Sequence, residues 1–198
     1  PPRPLSAWVR GVNAVIGDDV SIIWAERVPE GFDARRSAVW RRYIYVFGES
    51  DSRPAIGRDL ACWQDKILDV NRMQEAAQVL IGKHDFSSFR AAQCQASTPY
   101  RCIDKMNVSR SGRMVVIDTV ADAFLMHMVR NIAGTLVHVG SNKLHVSDVQ
   151  TLLTARNRSL APPTAQPHGL YLVQVSYPSF PRHIEARRPV ILGPQVID

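Results

Sequence analysis

The chain is 198 residues long, 45% apolar and 21% charged, a composition that suits a globular protein with one real core. It contains no run near the ~18 apolar residues of a membrane-spanning helix, and Pro1-Pro2-Arg3-Pro4 lacks the apolar core of a signal peptide. A cytoplasmic protein is therefore expected. The formal charge of +6 is compatible with phosphate binding but does not require it.

In chain order, Leu5 to Ile16 repeats apolar residues at helical spacing and stops at Gly17. Val20 to Val28 predicts a strand closed by Pro29 and Gly31. Ser37 to Phe47 predicts a second strand, rich in β-branched and aromatic residues, ending at Gly48. Val70 to Ile81 predicts an amphipathic helix with Met73, Ala76, Ala77, Leu80 and Ile81 on one face and Gly82 as its cap. His84 to Arg90 is turn-rich. Arg101 to Arg110 and Met114 to Val120 suggest a hairpin across Ser111-Gly112. Phe124 to Val139 is apolar nearly all round and predicts the buried central helix. Ser147 to Ala155 predicts a further helix with Ser147 as N-cap. Leu170 to Tyr177 reads as a last strand, and the proline-rich tail, 179–198, is expected to be loosely held. Strands and helices mixed in this way predict an α+β fold, a largely antiparallel sheet covered by helices.

Two residues ask for an explanation. Arg130 falls in the middle of the predicted central helix, with Met126, His127, Ala133 and Gly134 as same-face neighbours. A guanidinium buried there needs an anionic partner, because a broken buried pair costs about 3–5 kcal/mol. A structural ion pair and an arginine that orients a catalytic carboxylate both satisfy that need. Tyr43 shares a strand face with Arg41 and Tyr45. Such a face suits stacking on an unpaired base, or equally an aromatic core face with a snorkelling arginine. Cys62, Cys94 and Cys102 match no zinc spacing and read as reduced, semi-buried thiols. His127 reads as a packed histidine, Lys83 and Lys105 as solvated surface.

Longer segments carry a family resemblance. Phe32-Asp-Ala-Arg35-Arg-Ser37-Ala38 with Arg41-x-Tyr43-x-Tyr45, His84-Asp85-Phe86-Ser-Ser-Phe89-Arg90, the block from Ala121 through Phe124 and Arg130 to Gly134, and Gly169-Leu170-Tyr171-Leu172 together resemble the tRNA pseudouridine synthase A (TruA) family. The resemblance runs in the right order over residues 1–178. It implies a pseudouridine synthase-like fold and a homodimeric, cytoplasmic enzyme. Such an enzyme isomerises uridine to pseudouridine at positions 38, 39 and 40 of the tRNA anticodon stem-loop, without cofactor or metal. The resemblance makes Tyr43 the tyrosine that packs on the flipped uracil, and Arg130 the arginine paired with the catalytic aspartate. Arg35 and Arg41 match family positions that serve the site or tRNA; Arg42, Arg90 and Arg101 are candidate phosphate contacts, as is Arg36.

The family's nucleophile lies in an Arg-Thr-Asp-Ala-Gly-Val-His segment, and no such segment occurs in this chain. Asp18-Asp19 and Asp33-Ala34 stand in other contexts and do not replace it. The expectation is a C-terminal catalytic and RNA-binding portion, inactive by itself because the covalent route lacks its nucleophile. A non-catalytic RNA-binding module that keeps the basic face is the alternative. A structural domain with incidental charge is a weaker third reading.

Overall fold

The computed structural model describes residues 3–178 and 185–193. Among these residues, six strands form one sheet: β1 Trp40–Glu49, β2 Cys62–Gln64, β3 Gly82–Asp85, β4 Tyr100–Ser111, β5 Met114–Ala121 and β6 Leu170–Ser176. The order is β2-β1-β5-β4-β3, with β6 beside the first half of β1. β1 and β2 run parallel over Phe47–Glu49; the other pairings are antiparallel. Helices α2 Val70–Gln78, α3 Met128–Gly140 and α4 Val146–Ala155 supply the residues that bury one sheet face, where Tyr45, Phe47, Ile103 and Ile117 meet Met73, Leu80, Ile132, Leu136 and Leu153. The fold is α+β, with a mixed sheet covered by helices. No helix among the described residues is long and apolar enough to cross a membrane.

Period-2 alternation in β1 sorts its side chains as expected. Tyr43, Tyr45 and Phe47 face the helices, while Ile44 and Val46 join Ala61, Val116 and Val173 on the other face. The tail is not wholly loose. Ile191 and Leu192 pack on that second face, and Arg187 donates its backbone N–H to Val173 O at 3.0 Å. The remainder of 179–198 lies outside the described residues.

Other elements differ from expectation. Residues 20–28 form no strand; the Asn13 side chain bonds the Ile22 backbone in both directions at 2.7 Å, but no described strand pairs with them. Alternation alone cannot provide the partner edge that makes a strand. Helix α1, Leu5–Asn13, buries no residue. The helix from Val70 ends at Gln78, so Gly82, with φ +101°, opens β3 instead of capping α2. Ser147 lies inside α4, and the N-cap is His145, whose N–H donates to Asp148 at 2.7 Å. The central helix starts at Met128, four residues later than predicted. His127 adopts a left-handed φ of 60°, and Phe124 turns away to pack edge-on against Tyr43.

A buried ion pair fastens the 65–69 loop to the sheet. Glu49, 7% exposed, pairs with Arg110 and accepts the Leu68 N–H at 2.8 Å, while Arg110 Nη2 donates to Leu68 O at 2.7 Å. Glu49→Ala leaves both donors unmet and is expected to cost about 2–3 kcal/mol. The cost falls at or below the bottom of the buried-pair range because Arg110 keeps 35% of its side chain exposed. Urea unfolding checks this: the midpoint should fall with the m value unchanged.

Candidate functional site

A hollow of about 870 Å³ opens where β1 and β6 meet the first turn of α3. Tyr43 and Leu170 reach it from the sheet, Arg130 from the helix, and Phe124 to His127 from the irregular stretch before the helix. Arg35, Arg36, Arg41 and Arg101 also line it, together with the 93–96 loop. No aspartate or glutamate stands among these lining residues, so every formal charge on the lining is a cation, set among apolar and neutral side chains. A smaller hollow of about 380 Å³, at the other end of β1, mixes Asp51, Asp59 and Asp65 with Arg53 and Arg58.

The helix start changes the reading of Arg130. It is the third residue of α3, half-buried at the lip of the hollow, and not sunk in mid-helix packing. Its Nε donates to Ala165 O at 2.8 Å. Among the described residues it forms no ion pair with a carboxylate. Access to solvent at the hollow lets the charge stand without an internal partner, and the outer edge of the guanidinium remains open to an anion.

Tyr43 touches the Phe124 ring edge-on, with centroids 5.1 Å apart and an interplanar angle of 82°. Burial pushes its phenol above the ordinary value, and the Arg41 cation only partly opposes this. The hydroxyl therefore keeps its proton at neutral pH, ready to donate.

The other arginines divide by what they hold. Arg41 Nη1 donates to Ala38 O at 2.9 Å and Asp122 O at 2.7 Å, and Nη2 donates to Arg35 O. This side chain braces the 35–38 turn against the end of β5. The same turn is capped by Asp33, which accepts the Arg35 and Arg36 N–H groups at 2.9 and 2.7 Å. Those bonds hold its carboxyl below the ordinary range. Asp33 is thus a turn residue. Arg101 donates to Thr98 O at 3.1 Å, and its buried Nε has no hydrogen-bond partner among the described residues. Arg90 lies behind the hollow and ties the loop through Cys94 O at 2.7 Å and Ala96 O at 2.6 Å. Arg42 points to the opposite sheet face and forks onto Asp118 at 2.8 and 2.7 Å, joined by Lys105 at 3.4 Å. The Asp118 hydrogen bond raises its already high pKa despite burial. The structure thus gathers Arg35, Arg41, Arg101, Tyr43 and Arg130 around one cavity and leaves Arg42 and Arg90 outside it.

Sequence reasoning missed Cys94 as a wall of the hollow, and no motif marks it. Burial pushes its thiol up, but the Met126 and Ala96 N–H groups and Arg90 together outweigh burial and lower it. At Cys102, burial and then Asp104 raise the thiol. Iodoacetamide at pH 8 is therefore expected to label Cys94 several-fold faster than Cys102 and to spare Cys62, which is 6% exposed. Peptide mapping by mass spectrometry checks this, and equal rates would overturn the assignment. No group of three or more His, Cys, Asp or Glu among the described residues could hold a metal ion.

Residues 76–178 match the family model described as tRNA pseudouridine synthase. The chain is similar to the tRNA pseudouridine synthase A of Coxiella burnetii (strain Dugway 5J108-111), at 51% identity over 172 residues, covering 87% of this chain and 66% of the relative. It is similar to that of Chromobacterium violaceum at 46% over 189 residues, covering 94% and 72%, and to that of Legionella pneumophila (strain Lens) at 47% over 176 residues, covering 89% and 67%. The chain spans about two thirds of the length of these curated relatives. Similarity of this extent, over both the hollow and the core that carries it, places the chain in the tRNA pseudouridine synthase family.

Proposed function

We propose that the protein carrying this chain isomerises uridine to pseudouridine in the tRNA anticodon stem-loop, at positions 38, 39 and 40. The supporting observation is the cationic hollow in which Tyr43 and the open edge of Arg130 meet. A uridine inside a stem or loop must be extruded to react, which costs a few kcal/mol. Phosphate contacts from Arg35, Arg36 and Arg101 offset that cost, and the Tyr43 ring offers a stacking face. Within the hollow, the C1′–N1 bond breaks, the uracil turns, and C1′ joins C5; the proton on C5 leaves and N1 gains one. Tyr43, protonated, can donate to the turning base. Arg130 would orient the carboxylate that attacks C1′.

That carboxylate is not among the residues lining the hollow. The reading therefore requires one from outside them, and the chain acting alone is expected to be inactive. Relatives about a third longer than this chain are consistent with such a contribution. A tRNA substrate is consistent with a cytoplasmic protein, and the family resemblance supports a homodimer.

The test is to incubate the purified chain with an unmodified, uridine-labelled tRNA transcript beside a version fused at its start to a segment carrying the Arg-Thr-Asp that the family resemblance implies. Conversion by the extended protein alone supports the reading. Conversion by the short chain would sink the requirement for an outside carboxylate. If neither converts while both bind tRNA with steep salt dependence, the protein is an RNA-binding module.

A further inference from the structure

Arg130 is aimed by a piece of chain that no motif marks. Residues 161–167 cross the outside of α3, and each anchor of this crossing can be named. The Arg130 side chain donates from Nε to Ala165 O at 2.8 Å, and the Ala165 N–H returns a bond to Arg130 O at 3.2 Å. One turn along the helix stands Gly134, where an added Cβ would lie 2.3 Å from Pro163 O and 3.3 Å from Ala165 N. Backbone therefore rests directly on backbone there. Asn131, 1% exposed, accepts at Oδ1 from Thr164 Oγ1 at 2.6 Å and Arg158 Nη2 at 3.2 Å, and donates to Phe89 O at 2.7 Å. Arg158 also donates to Ala161 O at 3.0 Å and Thr164 Oγ1 at 3.1 Å. At the far end, the Tyr45 hydroxyl donates to Gln166 O at 2.7 Å.

We propose that segment 161–167 is a strap that sets the guanidinium of Arg130 in the hollow, with Gly134, Asn131, Thr164 and Arg158 as positioning residues acting through it. This rests on the reading that Arg130 serves the isomerisation. Two features separate the device from ordinary loop packing. The strap meets the reactive arginine through a carbonyl on Nε alone, which fixes the plane of the guanidinium and leaves both Nη groups to face an incoming carboxylate. The strap is also held by a cation, Arg158, which among the described residues has only neutral acceptors for partners and whose charge burial disfavours. An apolar anchor would pack a loop with less desolvation. The guanidinium instead joins three acceptors on strap and helix at once.

The first arm of the test needs no turnover. In the 198-residue chain, the ¹Hε–¹⁵Nε correlation of Arg130 is assigned by its loss in Arg130→Lys, and its exchange with water is measured. Slow exchange is expected in the parent and in Thr164→Ser. Exchange about tenfold faster or more is expected in Thr164→Val and Arg158→Gln, and a shifted resonance in Gly134→Ala. Thr164→Val changes little volume, so amide dispersion should confirm that it folds. Unchanged exchange in folded Thr164→Val together with an unshifted resonance in folded Gly134→Ala would overturn the proposal.

The second arm uses a form of the protein that converts uridine. There, Thr164→Val and Gly134→Ala are expected to lower kcat about 10- to 100-fold, with KM within about twofold, since a displacement near 1 Å costs about that much. Thr164→Ser should restore the rate. A change in KM alone, or failure of Thr164→Ser to restore the rate, would assign the strap a merely structural role. If no form of the protein converts uridine, the functional reading fails, while the exchange measurement still decides whether the strap aims Arg130.

Discussion

Arg130→Lys is expected to lower uridine conversion by about 10²–10³-fold in any form of the protein that performs it, with tRNA affinity within about threefold. A lysine keeps the charge and most of the reach but has a single nitrogen. It cannot bond Ala165 O, as Nε does at 2.8 Å, and at the same time present two parallel donors to a carboxylate. Loss of one well-placed donor to a reacting centre costs about that factor. Long-range attraction to phosphate depends on total charge and survives the exchange. Single-turnover conversion and filter binding at two salt concentrations separate the two effects. A parallel loss of affinity and rate would make Arg130 a phosphate contact instead.

The second large effect concerns stability. Gly169→Ala is expected to destabilise the fold by about 3–5 kcal/mol. Gly169 has φ +91°, and a Cβ there would lie 2.3 Å from Val46 O and 3.0 Å from Cys62 N. Left-handed strain accounts for about 1–3 kcal/mol, and forcing the backbone apart for about as much again. The site is the junction of β1, β2 and β6, where the Val46 N–H also donates to Gly169 O at 2.8 Å. With domain stabilities near 5–15 kcal/mol, such a loss takes the protein close to unfolding. Gly112 provides the control. Its φ is +58°, and an added Cβ meets nothing within 4 Å among the described residues, so Gly112→Ala should cost only about 1–2 kcal/mol. Urea midpoints for the pair decide the matter. Equal losses would show that conformation alone, and not the backbone contact at Gly169, sets the cost.

Local rules carried much of the fold because they need few long-range facts. Strand β1 and the β4–β5 hairpin follow from alternation and the turn at Gly112. The buried face of α2 follows from helical spacing at Met73, Ala76 and Ala77. Alternation also placed Arg41 and Tyr43 on one face and Arg42 on the other. It could not show that Asp118, a sequence separation of 76 residues away, occupies Arg42. Composition could not separate an arginine that faces a ligand from Arg90, which binds its own loop.

Arg35, Arg41, Tyr43 and Arg130 of the hollow were legible as types at particular positions, through the strand period and the family resemblance. Their roles within it were not. The largely apolar stretch from Phe124 to Val139 predicted one continuous helix, but a left-handed His127 starts α3 at Met128 and moves Arg130 from mid-helix to the rim. Nothing local requires that start; it follows from Phe124 packing on Tyr43, a strand residue far away in the chain. Segment 161–167 carries no motif, and its place across Gly134 and Arg130 emerges only in the fold. Periodicity and turn chemistry act over a few residues, and so the elements and their faces could be read directly. The start of α3, the partner of each arginine and the seat of the loop depend on contacts between segments distant in sequence, which come together only when the chain has packed.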